Sequence, residues 1–103
     1  MAKLKLAVSP TFKSKVPIPV AGGNAVEVEM TFKHRTKDAM AEFMDSRKDE
    51  SDVDSFMGMV EAWELEEEFN KDSVALLLQN YIGAAVATYR TYVDELFQNK
   101  TKN

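Results

Sequence analysis

Apolar and polar positions alternate between residues 11 and 20, with Phe12, Val16, Ile18 and Val20 on one face and Lys13 and Lys15 between them. A period of two is strand spacing. Pro17 and Pro19 lack backbone donors, which confines this strand to a sheet edge or to a single partner on one side. Ala21-Gly22-Gly23-Asn24 supplies residues that tolerate a tight turn. Val26, Val28, Met30 and Phe32 then alternate with Glu27, Glu29, Thr31 and Lys33, the cleanest strand signal in the chain. The two runs read as a β-hairpin. A lone hairpin is marginal in water, so its apolar face must rest on helices or on a partner subunit.

Helical spacing takes over after residue 36. Thr36 is favoured over Thr31 as a cap because Asp38 then falls in the first turn, where a helix N-terminus prefers negative charge. The inward stripe of this helix, which runs to about residue 48, is Ala39, Met40, Phe43 and Met44. Ser51 or Asp52 caps a second helix through Phe56, Met57, Val60 and Trp63, weakened by Gly58. Asp72 is the expected cap of a final helix carrying Val74, Leu77, Leu78, Tyr81, Ile82, Ala85, Tyr89, Val93, Leu96 and Phe97 at intervals of three and four. Spanning residues 73–98, it would be about 39 Å long at 1.5 Å per residue. The small cluster Gly83-Ala84-Ala85 lets another backbone approach closely. The pattern predicts an α+β fold in which an N-terminal β-hairpin packs with about three α-helices, the last one long. One domain covers residues 1–103, with a hairpin region (1–35), a helical region (36–98) and a frayed tail (99–103).

A chain of 103 residues with 45% hydrophobic and 29% charged residues fits one globular core. No cysteine is present, so disulfides and thiolate metal sites are excluded, and a reducing cytosol is the natural expectation. Residues 1–9 alternate Lys3 and Lys5 with Leu4, Leu6 and Val8, which is not the unbroken apolar core of a signal peptide. No run reaches membrane-spanning length. The net charge of −4 is uneven: residues 1–37 carry seven Lys or Arg against two acids, and residues 38–72 carry three against thirteen. That separation suits head-to-tail contact between copies, or is simply solvated surface.

Candidates for catalysis are few. His34, the only histidine, lies between Lys33 and Arg35, where positive neighbours disfavour its charged form and no local acid orients it. Glu61, Glu64 and Glu68 stand at helical spacing without a companion metal-ligand motif, which reads as a solvated face. Gly22-Gly23 is not followed by the lysine of a nucleotide loop. No cofactor and no enzymatic activity are expected. A nucleic-acid-binding or regulatory role would use Lys13, Lys15, Lys33, Arg35 and Lys37, interleaved with Phe12 and Phe32, and is the rival reading. Met40, Met44, Met57 and Met59 suit irregular packing or an adaptable binding surface.

The stretch Trp63-Glu64-Leu65-Glu66-Glu67-Glu68-Phe69-Asn70, followed by Val74, Leu77, Asn80-Tyr81, Gly83-Ala84-Ala85 and Tyr89, resembles the tail assembly chaperones of long-tailed bacteriophages. Met30-Thr31-Phe32-Lys33 and Arg35-Thr36 are similar to the earlier part of that family, so the resemblance covers most of residues 26–103. It departs at Ile82, where many relatives have proline, which bears on the bend of the last helix. The resemblance implies a phage or prophage protein in the host bacterial cytoplasm, absent from the mature virion. Such a protein binds the tape measure protein, keeps its helices soluble and helps recruit the major tail protein. It also implies head-to-tail self-assembly into spirals or rings, and in many relatives a longer frameshifted form. Trp63, Phe69, Leu77, Tyr81 and Tyr89 are then the expected partner-binding residues, and Phe12, Ile18, Val28 and Phe32 the expected self-association residues. Neither a membrane nor nucleic acid is an expected partner.

Overall fold

A computed structural model of the chain describes residues 4–98. The alternating runs form the antiparallel strands β1 (Thr11–Ile18) and β2 (Val26–Lys33), in a register that sets Phe12 opposite Phe32, Val16 opposite Val28 and Ile18 opposite Val26. Gly22 supplies the turn with a φ of 75°, in the left-handed region that favours glycine. Val16, Ile18, Val28, Met30 and Phe32 are buried on one face, while Lys13 and Lys15 are exposed. β1 is an edge strand, as Pro17 and Pro19 require.

Thr36 caps α1 (Lys37–Ser46) by accepting the amide of Ala39 at 3.2 Å. Met40 and Phe43 are the buried part of its stripe, and Met44 faces solvent. A 3-10 turn, Arg47–Asp49, leads to α2 (Asp52–Met59), which Ser51 caps. Here the structure departs from the expected helix through Trp63. α2 stops at Met59, and Val60–Trp63 form β3, antiparallel to β2. Met30 and Phe32 are wholly buried, so the β2 backbone beside them needs hydrogen-bond partners that water cannot supply. β3 provides a second ladder for β2, with an irregularity between Thr31 and Phe32. Sheet order is β1-β2-β3. The helical spacing of Glu61, Glu64 and Glu68 dissolves with this strand, and all three are exposed.

The long final helix is two helices, α3 (Lys71–Asn80) and α4 (Ala84–Phe97), broken at Tyr81, whose φ of −126° and ψ of 90° are extended. Asn70 caps α3 through the amide of Ser73 at 2.8 Å, and Asp72 lies inside the first turn rather than at the cap. Among the described residues there are therefore four α-helices rather than three, and the expected span of about 39 Å is divided. The most deeply buried stripe of α4 is Ala84, Thr88 and Tyr92, one position off the expected Ala85, Tyr89 and Val93. The frayed tail expected at 99–103 lies outside the described residues.

Small residues at the break admit the end of the hairpin, as their lack of bulk suggested. A Cβ on Gly83 would lie 2.9 Å from Cγ and 3.3 Å from Cβ of Pro19, closer than packed carbons tolerate. Gly83→Ala is expected to destabilise the fold by about 1–3 kcal/mol through this overpacking, read as a lower thermal midpoint. The opposite shift is expected for Thr88→Val. Thr88 is fully buried and its Oγ1 has no hydrogen-bond partner. Replacing an unpaired buried hydroxyl with a methyl is expected to raise stability by about 1 kcal/mol, measured by urea unfolding.

Aromatic rings knit α4 to the sheet. Tyr92 stacks on Phe32 (centroids 5.4 Å apart) and on Phe12 (6.2 Å), and meets Phe43 edge-on at 5.9 Å. Its hydroxyl donates to the Lys33 carbonyl at 2.7 Å and accepts from Arg35 Nη1 at 2.9 Å. The same Arg35 nitrogen donates to the Gly58 carbonyl at 2.7 Å, and its guanidinium lies 4.1 Å from the Phe43 ring centre. One side chain thus ties β2's exit to α1, α2 and α4.

A candidate protein-binding groove

At the turn end of the hairpin the core is left open. Val74 is buried and docks α3 on the core, which leaves Leu76 and Leu77 pointing across a gap toward the hairpin. Three consecutive leucines, Leu76-Leu77-Leu78, are spread over roughly 200° of a helix, so they cannot all face one core. Leu77 and Leu78 are partly buried and Leu76 is 55% exposed. Facing α3 are Ile18 and Val20 from the β1 side, Val26 and Val28 from β2, and Trp63 and Leu65 from the end of β3. Together they line a groove of about 320 Å³, closed off by Tyr81 and edged by Glu67, Ser73 and Asn80.

Trp63 holds the wall in place. Its indole N–H donates to the Glu67 carbonyl at 2.8 Å, folding the loop after β3 back on the strand. Its ring meets Phe69 edge-on at 5.0 Å and Phe56 at 6.2 Å. The loop so fixed carries Glu64, Glu66, Glu67 and Glu68, all exposed, and Glu67 lines the groove. An apolar trough with an acidic bank suits an apolar segment flanked by positive charge. Val26 on the rim is 55% exposed, and Ile82 just beyond Tyr81 is almost wholly exposed.

Of the five expected partner-binding residues, the structure brings Trp63, Leu77 and Tyr81 together at the groove. Phe69 lies behind Trp63 as its packing partner. Tyr89 is elsewhere, under the Arg47 guanidinium at 3.5 Å from its ring centre. Of the four expected self-association residues, Ile18, Val28 and Phe32 are buried within the single chain, and Phe12 is partly buried in the aromatic stack. Ile18 and Val28 reach the groove's inner wall. Reading single residue types missed Val20, Val26, Leu65 and Leu76. The Leu76-Leu77-Leu78 run was the available signal.

The rival basic face is dispersed. Lys33 Nζ donates to the Met57 carbonyl at 3.1 Å and Arg35 is engaged in the knot described above. Lys13 and Lys15 border a shallow polar depression shared with Glu29, Asp94 and Glu95, whose charges oppose phosphate binding. Among the described residues no group of three or more His, Asp or Glu is placed to hold a metal ion, and no helix is long and apolar enough to cross a membrane.

No curated protein and no solved structure matches the chain. A family model described as phage tail assembly chaperone matches residues 1–103, the whole length. With a match of that extent, the chain belongs to the phage tail assembly chaperone family.

Proposed function

We propose that this chaperone binds the tape measure protein, seats an apolar stretch of one of its helices in the groove between the hairpin and α3, and so keeps it from aggregating. The observation that carries the reading is the groove itself: Leu76, Val26 and Tyr81 stand exposed around an apolar floor that the chain does not fill. Contiguous apolar surface of this kind is rare on a soluble domain without a partner. Helix-in-groove capture needs an apolar trough and a polar rim, and both are present. The protein works by binding, without catalysis, in the host bacterial cytoplasm. It gives way to the major tail protein as the tail tube forms, and so is absent from the mature virion. Copies associate head to tail.

Co-expression with the tape measure gene of the source genome tests capture. The tape measure protein is expected to become soluble and to co-purify with the chaperone. A well-folded chaperone that leaves it insoluble contradicts the proposal.

A further inference from the structure

Residues 4–10 precede β1 and are exposed along their length. Leu4 is 94% exposed, Leu6 98% and Val8 58%. Leu4, Leu6 and Val8 alternate in sequence with Lys5 and Ala7, and the chain bends at Leu6 and Ala7. Water-exposed apolar side chains in a row are as unusual as an unfilled apolar groove, and this chain has both.

We infer that the arm formed by residues 4–8 of one copy lies in the groove of a second copy. Its own groove is out of reach. The Pro10 carbonyl accepts the His34 amide at 2.8 Å, which fixes the arm's root at the end of the hairpin opposite the turn. From Thr11 to Ile18, where the groove's wall begins, β1 rises about 23 Å at ~3.3 Å per residue. Val8 can stretch only about 11 Å from Thr11 and Leu6 about 18 Å, at ~3.6 Å per residue. The three apolar residues therefore cannot enter the groove of their own chain together, whereas a neighbour's groove imposes no such limit.

Charge favours the same docking. Lys5, with Lys3 preceding it in sequence, belongs to the basic part of the chain. Glu67 lines the groove, on a loop that also carries the exposed Glu64, Glu66 and Glu68. Opposite potentials steer encounter and fix orientation. Arm and groove lie on different parts of the molecule, so the interface is heterologous. Each bound copy offers a free arm at one end and a free groove at the other, and the assembly grows until geometry closes it. A tape measure segment and a neighbour's arm exclude one another at any one groove.

The inference rests on the head-to-tail association proposed above and supplies its contact. Sedimentation velocity of the full chain, without tape measure protein, tests it with two variants. Leu4→Asp combined with Leu6→Asp disables the arm at positions too exposed to affect folding; Leu76→Asp disables the groove. The unaltered chain is expected to form species larger than a monomer, growing with concentration, and each variant alone to sediment as a monomer. An equimolar mixture is expected to yield a species of two chains and nothing larger, because only one intact arm meets one intact groove. An unaltered chain that stays monomeric overturns head-to-tail association as a whole. Assembly undiminished in the arm variant, or a mixture that remains monomeric, overturns the arm's role alone.

Discussion

Tyr92→Ala is expected to cost the fold about 3–5 kcal/mol, the range for removing a large aromatic from a packed core. A small domain has about 5–15 kcal/mol in all, so the variant should unfold at much lower urea concentration. The ring is fully buried among Phe12, Phe32 and Phe43. Tyr92→Phe separates packing from polarity. It keeps the stack and removes the hydroxyl that serves Lys33 and Arg35. The expected loss is about 1–3 kcal/mol, because a carbonyl and a cationic donor lose a partner within the structure. Burial pushes the Tyr92 hydroxyl above its ordinary value near 10, with the Arg35 hydrogen bond and charge opposing that rise. A group whose ionisation is disfavoured by folding contributes stability that is complete below the unfolded value and is lost as pH rises through the folded one. The fold should therefore weaken in the alkaline range above pH 10, and this share of the weakening should vanish in Tyr92→Phe.

Leu76→Asp is the second large effect, on binding rather than stability. Leu76 is 55% exposed on α3, so a carboxylate there stays hydrated in the free protein. In a complex the same carboxylate would be buried against an apolar segment without a partner. Affinity for the tape measure protein is expected to fall at least about tenfold, roughly 1.4 kcal/mol or more. The urea midpoint should be nearly unchanged. Lys13→Ala with Lys15→Ala is the control: these residues lie on the outer face of β1, away from the groove, and should leave binding intact. Co-purification of a tape measure fragment with each variant reads the difference.

The hairpin was legible because period-two alternation over eight residues in each strand has no helical interpretation, and because proline at an edge is a chemical constraint rather than a preference. The cap Thr36 was legible for the same kind of reason, and Ser51 was one of the two residues the sequence offered for α2. β3 was not. Four residues, Val60–Trp63, are too few to show a period, and they follow a helix whose apolar spacing runs on through them. Their strand state comes from the hydrogen-bonding need of β2, which is tertiary. The break at Tyr81 was hidden for a related reason. Apolar residues at intervals of three and four continue across it because α3 and α4 each have an apolar face. Trp63, Leu77 and Tyr81 were recognisable as partner-facing candidates from residue type and family pattern. Tyr89 has the same type and a different place, since only the chain's path after Gly83 puts it beneath Arg47.

The most direct test of the groove as the capture site is a nuclear magnetic resonance titration of the labelled chaperone with an apolar tape measure segment. The largest shift changes are expected at Val20, Val26, Leu65, Leu76, Leu77 and the Trp63 indole N–H. Changes centred instead on Lys13, Lys15 and Asp94, or around Arg47 and Tyr89, with the groove unmoved, would contradict it.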